Sequence, residues 1–406
     1  MIQPMVDRMQ WANAVSTRAS LEAAVTEVVE QASASLQSAA DLGFVFISAA
    51  YASEYPRLIP LLQEQLPDTI LVGCGGAGIV GMNRQSHQVQ EYEGVAALSL
   101  VLAHLPGVEI KSFHVTAEQL PDLDSPPQAW VDLLGVSPAD RPQFILLSDP
   151  FASGVSELLQ GLDYAYPGSV TVGGLASGSQ TPGRIGLFGD QKLHRAGTVG
   201  VALSGNIVLD TIVAQGCRPI GEPYHVSACE RNILLALDEQ PPLEVLRDLI
   251  SSLSDADRQL AEHSLFVGVV RDEFKQNLEQ GDFLIRNLLG VDPKVGAIAI
   301  ADLVRPGQRI QFHLRDAETS AEDLEWLLQR YQQTHSDASA RGALMFSCVG
   351  RGEMLYGKPN FDSQLFTKYI QNIPVGGFFC NGEIGPVGGS TFLHGYTSVF
   401  AICRQP

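Results

Sequence analysis

Phe44-Val-Phe-Ile-Ser48, followed by Ile70-Leu-Val-Gly-Cys74, is the stretch on which the fold turns. Both runs are short, apolar and without polar alternation, the pattern of strands buried on both faces. Between them, Glu54 to Leu66 carries Leu58, Leu61, Leu62 and Leu66 at helical spacing. Strand, helix and strand over this length make a β-α-β crossover, the usual link between parallel strands. The grammar returns in Phe144-Ile-Leu-Leu-Ser148 with Val170-Thr-Val-Gly-Gly174, and in Ala343-Leu-Met-Phe-Ser347 with Ile373-Pro-Val-Gly-Gly377. Residues 44 and 72 are 28 positions apart, as are 144 and 172, while 343 and 375 are 32 apart. The chain repeats itself.

Further strand signals follow each copy, at Val95 to Leu102, Thr198 to Leu203 and Thr397 to Cys403. Leu105-Pro-Gly107 and Ser204-Gly-Asn206 read as hairpin turns. Leu265 to Val270, with Gly296 to Ile300 and Ile310 to Leu314, reads as a fourth, degenerate unit. Two helix starts are marked: Ser20 as an N-cap before Leu21, and Thr319-x-x-Glu322 as a capping box before Leu324. These features predict an α/β fold of two lobes built from repeated β-α-β plus hairpin units, with mixed sheets. The division is expected near Gly221, giving domains 1–220 and 221–406.

Bulk composition narrows the function. The 406 residues are 45% hydrophobic and 17% charged, enough to fill two cores. A formal charge of −19 repels phosphate backbones, and no Lys/Arg cluster overrides it. We therefore expect no nucleic-acid partner. Residues 1–17 lack the apolar core of a leader, and Ile70 to Gly81 is too short and Gly-rich to span a bilayer, so no membrane insertion is expected. The six cysteines are scattered without CxxC spacing, which fits reduced thiols in the cytoplasm.

Gly73-Cys-Gly-Gly-Ala-Gly78 satisfies the dinucleotide spacing G-x-G-x-x-G. That motif needs a helix directly behind the glycines to hold the pyrophosphate. Ile79 to His87 has no helical apolar stripe, so the glycines read instead as a tight turn or close approach. The nine histidines show no HxH or HExxH, and no G-x-S-x-G elbow occurs. No metal, no cofactor and no catalytic residue is expected.

The C-terminal third is richer in polar loops. By the repeat, Ser347-Cys348 and Gly376-Gly377 end strands, and α/β sheets bind ligands around such ends. Arg351 can fork onto a carboxylate, while Asn381 and Glu383 can receive an amine or hydroxyl. Phe378 is a candidate wall. Cys348, His394 and Arg315, with Cys74, Gly75 and Ser148 at the other strand ends, complete the expected ligand-binding set. The alternative for Arg351 and Glu383 is a structural ion pair, and for Phe378 or Phe379 core packing. Cys348 and Cys380 stay open between inert packing and a reactive thiolate.

Phe346-Ser-Cys-Val-Gly-Arg-Gly352 and Gly377-Phe-Phe-Cys-Asn-Gly-Glu-Ile-Gly385 resemble the signature of the FIST C-terminal domain. Gly290-Val-Asp-Pro293 and Gln311-Phe-His-Leu-Arg-Asp316 resemble it too, and Leu42 to Gly81 resembles the FIST N-terminal domain. The resemblance implies a sensory role in signal transduction. FIST domains occur alone, beside bacterial signalling domains and in F-box proteins, and amino acids have been suggested as their ligands. It offers no catalytic residues to carry over. The expected protein binds a small polar ligand between its lobes, an amino acid or related metabolite. With no segment left over for an output domain, its signal is expected to pass to a separate signalling protein or through an oligomer. The alternatives are a cysteine-dependent enzyme using Cys348 or Cys380, and an interaction scaffold without a small ligand.

Overall fold

A computed structural model of the chain describes residues 8–278, 281–335 and 340–406. The leader reading of residues 1–17 falls partly outside them. Eight elements form a first repeat: β1 (Gln10–Ser16), α1 (Leu21–Ser35), β2 (Leu42–Ser48), α2 (Tyr55–Gln65), β3 (Ile70–Gly76), β4 (Gly78–Asn83), β5 (Gln88–Glu93) and β6 (Leu98–His104). The second has the same order: β7 (Val108–Val115), α3 (Pro127–Leu134), β8 (Gln143–Ser148), α4 (Val155–Ala165), β9 (Thr171–Leu175), β10 (Leu187–Gly189), β11 (Lys192–His194) and β12 (Thr198–Gly205).

The third repeat opens with β13 (Val208–Ala214) and is then interrupted. The interruption holds β14 (Arg218–Glu230), β15 (Ile233–Leu237), α5 (Pro242–Ser252), α6 (Asp255–Ala261), β16 (Leu265–Val270), β17 (Phe283–Asp292), β18 (Ala297–Ile300) and β19 (Arg309–Leu314). The repeat resumes as α7 (Ala317–Thr334), β20 (Ala340–Cys348), α8 (Glu353–Tyr356), α9 (Phe361–Tyr369), β21 (Val375–Cys380), β22 (Glu383–Val387), β23 (Ser390–His394) and β24 (Ser398–Arg404).

Two compact units result: residues 1–213 with 325–406, and residues 214–324. The boundary expected at 220/221 falls inside β14. The larger unit holds all three repeats as three six-stranded mixed sheets, ordered β1-β6-β2-β3-β10-β11, β7-β12-β8-β9-β22-β23 and β13-β24-β20-β21-β4-β5. The three repeated β-α-β units and the mixed sheets expected from the sequence are present. In each sheet a parallel pair sits at the centre: β2 with β3, β8 with β9, β20 with β21.

Each hairpin is handed on to another repeat's sheet. The β10–β11 hairpin of the second repeat extends β3, β22–β23 of the third extends β9, and β4–β5 of the first extends β21. Two turns are corrected here. Residues 105–107 and 204–206 do turn, but the strands on either side join different sheets. β6 is already paired with β1 and β2, so β7 goes on to β12. Behind Gly73–Gly78 the chain runs on as a strand, β4, and not as the helix that the dinucleotide motif needs.

One apolar core draws on all three sheets, including Phe46, Leu147 and Phe346. Helices cover the outer faces: α1 and α2 bury Val25, Val28, Leu58 and Leu62 on the first sheet, and α4 buries Leu158 and Leu162 on the second. On the third, Phe366 of α9 stacks on Phe400 with ring centroids 4.6 Å apart. Burial from both sides is why the strand runs lack alternation. Gly73, Gly173 and Gly377 share one constraint, because a Cβ at each would overlap the carbonyl oxygen of Val45, Leu146 or Met345 on the neighbouring parallel strand. Ser20 caps α1, accepting from the Ala23 amide.

The smaller unit is a closed barrel ordered β14-β15-β18-β17-β16-β19, with antiparallel neighbours and its own core around Leu234, Ile298 and Phe312. The degenerate fourth unit is therefore corrected: β16, β18 and β19 are barrel strands, and no parallel crossover joins them. The capping box at Thr319 also shifts. α7 begins at Ala317, and Asp316 takes the capping role by accepting from the Thr319 amide at 2.7 Å.

Candidate functional site

The carboxyl ends of β3, β9 and β21 come from different repeats, yet they hydrogen-bond to one another. Ser177, just past β9, is the knot. Its hydroxyl accepts from the Ala77 amide at 2.7 Å and donates to the Phe379 carbonyl, while its own amide donates to Gly75 at 3.0 Å. The Asn381 amide donates to Leu175 at 3.0 Å, and the Leu175 amide to Gly382 at 2.8 Å. Small residues permit this approach: the Cys380 thiol lies over Gly174, with no room for a Cβ.

Most of the sequence-predicted residues gather here, and they are buried. Arg351 has no exposed surface. Its guanidinium forks onto Asp362 at 2.6 and 2.9 Å, donates to the Tyr356 hydroxyl at 2.5 Å and reaches the Tyr396 carbonyl at 3.4 Å. Asp362 also accepts from Tyr356 at 2.9 Å and from Ser347 at 3.2 Å. A buried pair with a fork and further donors is the arrangement in which ion pairing offsets desolvation. Glu383 is also fully buried and accepts from the Thr397 amide at 3.1 Å. Cys348 donates its own amide to the Thr397 carbonyl at 2.9 Å, so Thr397 bridges the end of β20 and Glu383. Tyr396, beside them, holds φ at +60°, a conformation costly for an aromatic residue.

The rest are placed as follows. The Nε2 of buried His394 donates to the Gly385 carbonyl at 3.0 Å. Phe378 belongs to the core, stacked on Phe46 at 5.3 Å. Asn381 is exposed. Gly75 lies against Tyr55, and the Ser148 hydroxyl meets that of Thr198 at 2.8 Å. Arg315 is buried in the barrel unit, apart from the unit holding the others. Burial pushes the Cys74 thiol well up, and burial, then the Glu383 charge, does the same to Cys380.

Sequence reasoning missed the acids around this cluster. Asp362 lies in the first turn of α9, and Glu91 and Glu93 lie on β5. Glu91 accepts from the Ser363 amide at 2.8 Å and donates its own amide to Asn360 at 2.6 Å. Burial, then the charge of Asp362, raises its carboxyl to about 7. Glu93 accepts from the Glu353 amide at 2.9 Å, and burial raises it too. Among the described residues, no group of three or more His, Cys, Asp or Glu side chains could hold a metal, and no helix is long and apolar enough to cross a membrane.

The β4–β5 hairpin that carries Glu91 and Glu93 also walls a concavity. A cavity of about 860 Å³ lies between β1, the last turns of α1, the hairpin tip and the loop entering β21. Trp11, Met82, Val89 and Ile373 give it apolar surface; Glu30, Gln31, Arg84, His87, Gln88 and Asn372 give it a polar rim. His87 and Asn372, both in the lining, hold φ at +52° and +60°. None of the sequence-predicted residues lines it.

Family models match in two adjoining spans, the FIST N domain over residues 41–240 and the FIST C domain over residues 242–386. The chain belongs to the FIST family. An uncharacterized protein of Mycobacterium tuberculosis is 34% identical over 385 residues, covering 95% of this chain and 96% of the relative. An F-box/LRR-repeat protein of Arabidopsis thaliana is 26% identical over 310 residues, covering 65% of this chain and 58% of its own length. Among solved structures, cyanuric acid hydrolase from A. caulinodans aligns over 97% of this FIST chain and 99% of its own, with 10% identity and a TM-score of 0.37.

Proposed function

We propose that this FIST protein is a cytoplasmic sensor of signal transduction that binds a small polar ligand in the cavity of its larger unit and passes the signal to a separate protein. The family supports the general part, since FIST domains are associated with sensing, signal transduction and small-ligand binding. The cavity carries the specific part. Its volume of about 860 Å³ is that of a small-molecule site, and an apolar floor beneath a few polar groups is the usual lining. Arg84, just past β4, and Glu30, on α1, both line it and suit a ligand with a carboxylate and an ammonium, such as an amino acid or related metabolite.

Arg351 does not supply the anion site in this reading. Its fork is spent on Asp362, and a ligand carboxylate would have to displace a buried partner. Its task is to hold the loop between β20 and α9 in place.

A thermal-shift screen with amino acids and related metabolites tests the proposal. Ligand at a hundred times its dissociation constant stabilises by about 2.7 kcal/mol. Ala34→Trp, on the exposed side of α1, fills the cavity without touching a core, and is expected to abolish the shift. A screen without hits, or hits that Ala34→Trp leaves unchanged, overturns the reading.

A further inference from the structure

Cys348 and Cys380 are the last residues of β20 and β21 and are register partners in that parallel pair. Adjacent strands lie about 4.7–4.9 Å apart, inside the roughly 4.4–6.8 Å between the Cα atoms of disulfide-bonded cysteines. Register partners on parallel strands face the same side. The preceding partners on that face, Phe346 and Phe378, meet edge to face with ring centroids 6.0 Å apart.

The two thiols differ in access. Cys380 has no exposed surface, whereas Cys348 keeps 7% and is followed by Val349, which is 36% exposed. The Gly350 amide donates to the Cys348 sulfur at 3.4 Å, a contact that favours developing negative charge there. Both cysteines are reduced in the structure.

We infer that Cys348 and Cys380 form a redox modification site, in which a hydroperoxide oxidises Cys348 and Cys380 closes a disulfide between β20 and β21. In the first step the Cys348 sulfur attacks the peroxide, the O–O bond breaks, and a sulfenic acid forms. The thiol proton leaves with the displaced hydroxide as water. In the second step the Cys380 sulfur attacks that of Cys348, the S–S bond forms and the S–O bond breaks. The departing hydroxide takes the Cys380 proton as a second water. Two thiols lose two electrons, and hydrogen peroxide becomes two waters. The bond ties the Cys348–Arg351 loop to the Asn381–Glu383 loop, so an oxidant reaches the cluster without using the cavity.

The test treats the reduced full-length chain with hydrogen peroxide, alkylates the remaining thiols, and maps peptides by mass spectrometry without reductant. A linked peptide pair containing Cys348 and Cys380, two hydrogens lighter than the reduced pair and released by dithiothreitol, is expected. In Cys380→Ser the reaction should stop at the sulfenic acid, trapped by dimedone on residue 348. In Cys348→Ser neither link nor trap should form at these positions. Melting curves matching the parent establish that both variants are folded. Wild type in which both thiols stay alkylatable, or in which Cys348 passes to sulfinic acid or links to Cys74 instead, overturns the inference.

Discussion

Asp163, on the crossover helix of the second repeat, holds both the amide and the hydroxyl of Thr391, on the hairpin of the third, at 2.6 and 2.7 Å. The contact closes the outer edge of a sheet whose last strand comes from another repeat. The first repeat's hairpin is fastened likewise, with Asn360 beside α9 accepting from the Glu91 amide. Exchanged hairpins leave strand edges that would otherwise template foreign pairing, and Asp163 and Asn360 occupy backbone groups on two of them.

Asp163→Ala is therefore expected to loosen β23 while leaving the core intact. Charge-assisted hydrogen bonds contribute about 1.5–3 kcal/mol each, but Asp163 is only half-buried, so a loss of about 2 kcal/mol is expected. Urea denaturation measures it, and hydrogen exchange should localise the new opening to residues 383–394. A uniform rise in exchange across the larger unit would contradict the edge-cap role.

Gly377→Ala tests the close approach of the parallel strands. The methyl group would overlap the Met345 carbonyl, which is backbone and cannot rotate away. A cost of about 3 kcal/mol is expected, the upper part of the overpacking range. Gly376→Ala, one residue earlier, meets side-chain atoms of Val101 and Asn13 rather than a backbone carbonyl, and side chains can shift where the Met345 carbonyl cannot, so it should cost less. Equal losses would remove the strand-approach argument.

The β-α-β units were legible because residues such as Phe44, Phe144 and Leu344 sit in sheets covered on both faces, which leaves an apolar run in the sequence. The hairpin exchange was not legible. Leu105-Pro-Gly107 turns the chain whether the next strand pairs with β6 or leaves for another sheet, and that choice belongs to edges formed far away in sequence. Asp362 reads as an ordinary acid in a first helical turn, and Glu91 as part of a polar strand, until tertiary packing buries both. The cavity was hidden because residues near 11, 31, 84 and 372 assemble it. The barrel insertion separates β13 from the rest of its repeat, and so the third copy read as part of a separate lobe.

The Arg351–Asp362 fork predicts strong coupling in a double-mutant cycle. Removing either partner strands a buried charge, which costs about 3–5 kcal/mol. Arg351→Met is expected to fall in that range, as is Asp362→Leu. The double variant should lose far less than the summed single losses, because no unpaired ion remains. Additive losses would show that the two side chains act separately.

Glu91 ties the hairpin to that fork, and its protonation gives stability a pH dependence of known sign. Burial and the charge of Asp362 raise its carboxyl from 4.5 to about 7 in the native state. Between those values the native chain binds more protons than the unfolded chain, so this group's contribution to stability declines as pH rises from 4.5 to about 7 and is level beyond. Glu91→Gln keeps a neutral side chain that still accepts from the Ser363 amide. The variant should match the parent near pH 4.5 and exceed it by up to about 3 kcal/mol at pH 8, since each unit of displacement is worth 1.36 kcal/mol. The comparison is made as a difference between the two proteins at each pH. A difference that stays constant from pH 4.5 to 8 would mean that Glu91 is ionised throughout, and that the acids around Arg351 are wetter than their burial implies.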